Sequence, residues 1–107
     1  MRIVQLSEQD RGIIRACSDY MPLGKNALSD MRSMIKAQDA IKIDDVPKGD
    51  PREYDAGVNE YQMEEAEWEA LKKIVNGEGK QNLAGAMMKL YVACVDHIEV
   101  AKEAPKE

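Results

Sequence analysis

The sequence predicts a mostly α-helical protein: four helices forming two duplicated helical hairpins, with a minor two-stranded β element at residues 3–6 and 59–63. Three observations carry this. Apolar residues recur at helical spacing in four segments set apart by Gly, Pro and Asn breaks. The stretch "VQLSEQD" at residues 4–10 returns as "YQMEEAE" at residues 61–67. Between the halves, residues 43–57 hold two Pro, two Gly and several Asp, a loop composition.

Along the chain, Val4 and Leu6 alternate with Gln5, a short strand pattern. Ser7 is a good N-cap, and Asp10 stands where a capping box places its acid. A helix is expected from there to about Tyr20, with Ile13, Ala16, Cys17 and Tyr20 on its apolar face. Gly12 inside it costs about 1 kcal/mol relative to alanine, and close packing against another helix would account for its presence. Pro22 and Gly24 break the chain. Asn26 is the expected cap of a second helix reaching Ile41 or Lys42, with Met31, Met34, Ile35 and Ile41 on its stripe. Residues 43–57 then read as a long connection, a length that marks functional or mobile segments.

The second half repeats the plan. Residues 58–63 form a strand. A helix over residues 64–75 starts acidic and ends in Lys72 and Lys73, matching its dipole. Trp68, Leu71 and Val75 face inward, and Glu69 is placed to pair with Lys72 or Lys73. Gly77 and Gly79 make the turn, and Asn82 is the expected cap of a last helix through about Val100, some 18 residues and roughly 27 Å long. Residues 102–107 are charged and expected to fray.

The repeat thus spans residues 3–42 and 58–101 within a single domain. Val4 aligns with Tyr61, Leu6 with Met63, Asp10 with Glu67 and Cys17 with Ile74. After a one-residue slip in the turn, Ala27 aligns with Leu83, Met31 with Met87 and Met34 with Leu90. Any two amphipathic hairpins share some of this likeness. Neither half buries its apolar face alone, so the halves are expected to pack together, with their strands paired. "VQLSEQD" and "YQMEEAE", each opening a helical hairpin, resemble small orphan helical proteins encoded by phages and prophages. That resemblance implies an accessory, regulatory or assembly role inside a bacterium, and implies no catalytic residues.

Composition narrows the function classes. A net charge of −5 argues against general nucleic-acid binding. Arg11, Arg15, Lys25, Arg32 and Lys36 form the one candidate basic patch, the face a DNA-linked regulator would use. No apolar run approaches the roughly 18 residues of a membrane span, and the N-terminus lacks a signal-peptide core, so a cytoplasmic location is expected. Cys17 and Cys94 sit in apolar stripes, which suits reduced, buried thiols, with a disulfide between helices as the alternative.

No cofactor motif is complete. "GEGKQN" lacks the spacing and the Ser/Thr of a phosphate-binding loop, and the acids of residues 44–55 miss the alternation of a calcium loop. Cys94 and His97, one helical turn apart, are the sharpest chemical pair, as metal ligands with Cys17 or as nucleophile and base. The acidic run Glu64, Glu65, Glu67 and Glu69 reads as a solvated first turn. With no Phe, one Trp and seven Met, the core is built from aliphatic and Met side chains. On the last helix Met88, Tyr91, Val92 and Val95 widen the apolar surface beyond what one neighbour covers. They make a candidate interaction surface for a protein partner or a second copy. The sequence thus favours a non-enzymatic interaction or assembly protein over the regulator or the Cys/His site.

Overall fold

The first strand and helix form where local signals place them. In the computed structural model, which describes residues 1–19 and 27–103, β1 is Arg2–Leu6 and α1 is Glu8–Asp19. Val4 and Leu6 point inward and are fully buried, while Gln5 between them is exposed. At the joint, the Asp10 N–H donates to Ser7 Oγ at 3.1 Å and the Ser7 N–H donates to Asp10 Oδ2 at 2.9 Å. This is a reciprocal capping box with Asp in the acid's place.

α2 is Leu28–Ala40, followed by 3₁₀ turns at Ile43–Asp45 and Pro51–Glu53. β2 is Asn59–Met63 and α3 is Glu65–Asn76, again joined by a capping box in which the Glu64 N–H donates to the Glu67 carboxylate. α4 is Met88–Glu99, and β3 is Lys102–Glu103. The sheet has three antiparallel strands in the order β2-β1-β3. α1 lies against α4 and α3 against α2, so the first helix of each half packs on the second helix of the other.

The strand and helix that open each half recur at one spacing. β1 and β2 are both five residues, α1 and α3 both twelve, and each pair is separated by 57 positions (2 to 59 and 8 to 65). Val4 pairs with Tyr61, its own counterpart, and the register runs outward symmetrically from that pair. The strands pair, as the sequence predicted, and cross a local pseudo-twofold axis.

The second helices keep the same shift, which corrects the one-residue slip. Met34, Ala37 and Ile41 turn inward on α2, and their counterparts at 57 positions, Tyr91, Cys94 and Ile98, turn inward on α4. Arg11 Nη1 donates to the Ile41 carbonyl at 3.4 Å, and Trp68 Nε1, 57 positions on, donates to the Ile98 carbonyl at 2.7 Å.

Four further expectations need correction. α4 begins at Met88, well after Asn82. Residues Glu78–Asn82 form a 3₁₀ turn whose buried Gly79 presses on the backbone of α1, and Asn82 donates to the Gly79 carbonyl at 3.1 Å. That docking, with extended backbone at Leu83 and Ala84, delays the helix. The start of the charged tail is ordered: Lys102 and Glu103 pair with Ile3 and Arg2, and Arg2 Nη1 donates to the Ala101 carbonyl at 3.5 Å. Gly12 faces the loop and not a helix, its missing Cβ leaving room for the Tyr54 ring and Pro51. Finally, residues 43–57 are packed down, with Ile43, Val46 and Pro51 buried. The expected caps and breaks at Tyr20, Pro22, Gly24 and Asn26 lie outside the described residues.

Arg15 and Tyr54 fasten that loop. Arg15 donates from Nη1 to the Val46 carbonyl at 2.8 Å and from Nη2 to the Pro47 carbonyl at 2.7 Å. The Tyr54 hydroxyl also donates to the Pro47 carbonyl. Charged hydrogen bonds of this kind contribute about 1.5–3 kcal/mol when buried and less in partial exposure. Arg15→Ala is therefore expected to lower stability by about 1–2 kcal/mol and to speed tryptic cleavage after Lys48 and Arg52. An unchanged digestion rate would show that the loop is held by its apolar contacts instead.

Candidate functional site

The predicted interaction surface is split by the turn of α4. Met88 and Val92 stand one turn apart, 67% and 51% exposed. Tyr91 and Val95 lie on the flank and pack partly against the core. The Tyr91 hydroxyl donates to the Val75 carbonyl at 2.5 Å, which fixes the ring between α3 and α4. Beside Met88, an open groove of about 170 Å³ is lined by Leu83, Ala84, Gly85, Met87, Met88 and Tyr91, with Lys80 at its edge. The groove lies where α4 is delayed, along the extended backbone at Leu83 and Ala84 and the 3₁₀ turn at Gly85–Met87. The Met group accordingly divides, with Met34 buried, Met31 and Met87 half-buried and Met88 exposed.

Among the described residues, two arginines of the candidate basic patch are turned to other tasks. Arg11 is buried, with its Nη1 on the Ile41 carbonyl and the Tyr61 hydroxyl and its guanidinium 5.6 Å from the Tyr61 ring centre. Arg15 is bonded to the loop. Arg32 and Lys36 remain exposed on α2, and Lys25 lies outside the described residues. A guanidinium that satisfies backbone carbonyls presents little to a phosphate, so the patch is reduced on geometry alone.

Cys94 and His97 both engage Asp10, one at its backbone carbonyl and the other at its carboxylate. The buried Cys94 thiol donates to the Asp10 carbonyl at 3.5 Å. His97 Nδ1 lies 2.7 Å from Oδ2 of the buried Asp10 carboxylate. Asp10 therefore closes the cap of α1 and also ties it to the last turn of α4. The imidazole borders a small cavity of about 110 Å³ with Ile3, Gln5, Glu60 and Lys102. Among the described residues no group of three or more His, Cys, Asp or Glu is placed to hold a metal ion. Burial pushes the Cys94 thiol well above its ordinary range, the opposite of an activated nucleophile.

Both cysteines are free thiols. Burial raises Cys17 from 9.0 to about 11, opposed in part by Lys80. The sign for stability follows. Between pH 9.0 and about 11 the unfolded chain has lost the Cys17 proton and the folded chain keeps it, so stability falls as pH rises. Urea midpoints measured on either side of this window are expected to drop more for the wild type than for Cys17→Ala. Equal slopes would show that the thiol titrates alike in both states. The acidic run of α3 is accounted for structurally: Glu67 closes the cap, Glu65 pairs with Arg2 at 2.7 Å and Glu69 with Lys72 at 3.0 Å.

The fold and these surfaces define a mostly helical protein with a small antiparallel sheet and an exposed apolar strip on its last helix. Compared with protein-family models, curated proteins and solved structures, the chain matches none. Among the described residues no helix is long and apolar enough to cross a membrane.

Proposed function

We propose that this chain is a non-enzymatic interaction protein of the cytoplasm, with the accessory or assembly role implied by its resemblance to phage-encoded helical proteins. It docks a protein partner through the start of α4. The observation that carries this reading is the exposed pair Met88 and Val92, the first of which lines the groove. Both large apolar side chains are more than half exposed and stand one turn apart, and Met88 lines a concave, mostly apolar surface. Partner helices and loops insert into grooves of this kind, and Met adapts to varied shapes. The raised thiol of Cys94 and the carbonyl-bound arginines favour this reading over the nucleophile and the DNA-linked regulator.

The test is site-specific photo-crosslinking in the source cell. A photoreactive residue at Met88 is expected to trap a defined protein, and Val92→Glu is expected to abolish the adduct while the circular dichroism stays unchanged. The same probe at Lys36 serves as control. Adducts no different between the two positions would remove the reading.

A further inference from the structure

The pseudo-twofold exposes an asymmetry at the sheet edges. β1 is covered on its outer side by β3, through pairs Arg2 with Glu103 and Ile3 with Lys102. Shifted by 57 positions, Lys102 and Glu103 correspond to Asp45 and Val46. Those two residues do not reach β2. Asp45 closes a 3₁₀ turn, and the Val46 carbonyl is held on α1 by Arg15. Among the described residues β2 is therefore the terminal strand of the sheet, and Asn59, Glu60 and Gln62 are exposed along it. An edge strand carries a row of backbone donors and acceptors that invite another strand. β2 holds neither Pro nor Lys to discourage one.

The occupant follows from the pairing already present. Gln5 stands opposite Glu60 across β1 and β2, with Gln5 Nε2 donating to Glu60 Oε2 at 3.4 Å. Gln62 is the counterpart of Gln5 in the repeat. If β2 of another molecule takes the role that β1 plays, in the same register, Tyr61 meets Tyr61. Each Gln62 then faces Glu60 of the second copy. The strand is complementary to itself, and two Gln–Glu pairs form by symmetry where the intramolecular sheet forms one. We propose that two copies of this chain associate through antiparallel pairing of β2 with β2, centred on Tyr61, giving a continuous six-stranded sheet. This association is independent of the α4 surface.

Light scattering of the intact chain, from about 5 to about 500 µM, reads the outcome directly. The mass is expected to rise from 12.0 kDa toward twice that value. Glu60→Lys combined with Gln62→Lys sets lysine against lysine and is expected to weaken association about tenfold or more. Gln62→Lys alone faces Glu60 of the second copy and is expected to tighten it. Amides of β2 are expected to exchange more slowly at the higher wild-type concentration, a readout that needs no variant. Met88→Glu with Val92→Glu is expected to leave the dimer intact. A 12.0 kDa mass at every concentration overturns the proposal. So does a dimer that survives the lysine pair, or one dispersed only by the α4 variants.

Discussion

Gly79→Ala is expected to be among the most damaging single-methyl additions in this protein, lowering stability by about 3 kcal/mol. A Cβ on Gly79 would sit 2.7 Å from the Cys17 carbonyl carbon and closer still to its oxygen. Both are backbone atoms near the end of α1, so no rotamer change relieves the clash. Either α1 or the 3₁₀ turn must move. Gly79 is not in a left-handed conformation, and its requirement is one of space alone. Overpacking typically costs about 1–3 kcal/mol, and a clash with backbone belongs at the upper end. Against a total stability of about 5–15 kcal/mol, such a loss is large. Gly85→Ala is the matched control, since a Cβ there meets nothing within 4 Å. Urea denaturation of the two variants decides the point: a Gly79→Ala midpoint as high as that of Gly85→Ala would mean that the turn does not dock on α1.

The same contact shows where sequence reasoning reached and where it stopped. The strand-to-helix joints were legible because every signal lies within seven residues: alternation in Val4–Gln5–Leu6, then Ser7 and Asp10 in capping positions. The repeat was legible in its apolar pattern. Its register in the second helices is not, because the Gly and Asn of the two turns match at a different offset from the buried residues that follow. The equivalence of Arg11 with Trp68 joins unlike side chains that perform one task, donating to the Ile41 and Ile98 carbonyls. No residue-type comparison detects that. The last helix is shorter than its local signals indicate, for the opposite reason. Asn82 and the apolar spacing favour a helix locally, and the docking of Gly79 on α1, some 60 positions away, overrides them.

On the candidate surfaces, local period located Met88 and Val92, because exposure on a helix follows from its spacing. It failed for the basic patch. Whether an arginine faces solvent or a carbonyl depends on where the chain returns, and both Arg11 and Arg15 meet the segment after α2, at Ile41, Val46 and Pro47. The loop at residues 43–57 is the cause of the asymmetry between the halves. Drawn onto α1, it leaves β2 without the strand that β3 supplies to β1.

Trp68→Ala is expected to cost about 4 kcal/mol, the other large effect. Trp68 is nearly buried, its ring lying under Arg2 at 4.1 Å and Lys72 at 3.7 Å from the centroid. Its Nε1–H binds the Ile98 carbonyl, so one side chain joins β1, α3 and α4. Three contributions compete. Truncating a buried Trp typically costs about 3–5 kcal/mol, each exposed cation–π contact about 0.5–1 kcal/mol, and the hydrogen bond about 1 kcal/mol net. The Ile98 carbonyl also accepts from the Ala101 N–H at 3.3 Å, so losing the indole donor does not orphan it. Ring burial should therefore dominate. Trp68→Phe keeps most of the ring and both cation contacts, and is expected to lose only about 1–2 kcal/mol. Circular dichroism in urea ranks the two variants. If Trp68→Phe falls as far as Trp68→Ala, the indole hydrogen bond, not the buried ring, holds α3 to the end of α4.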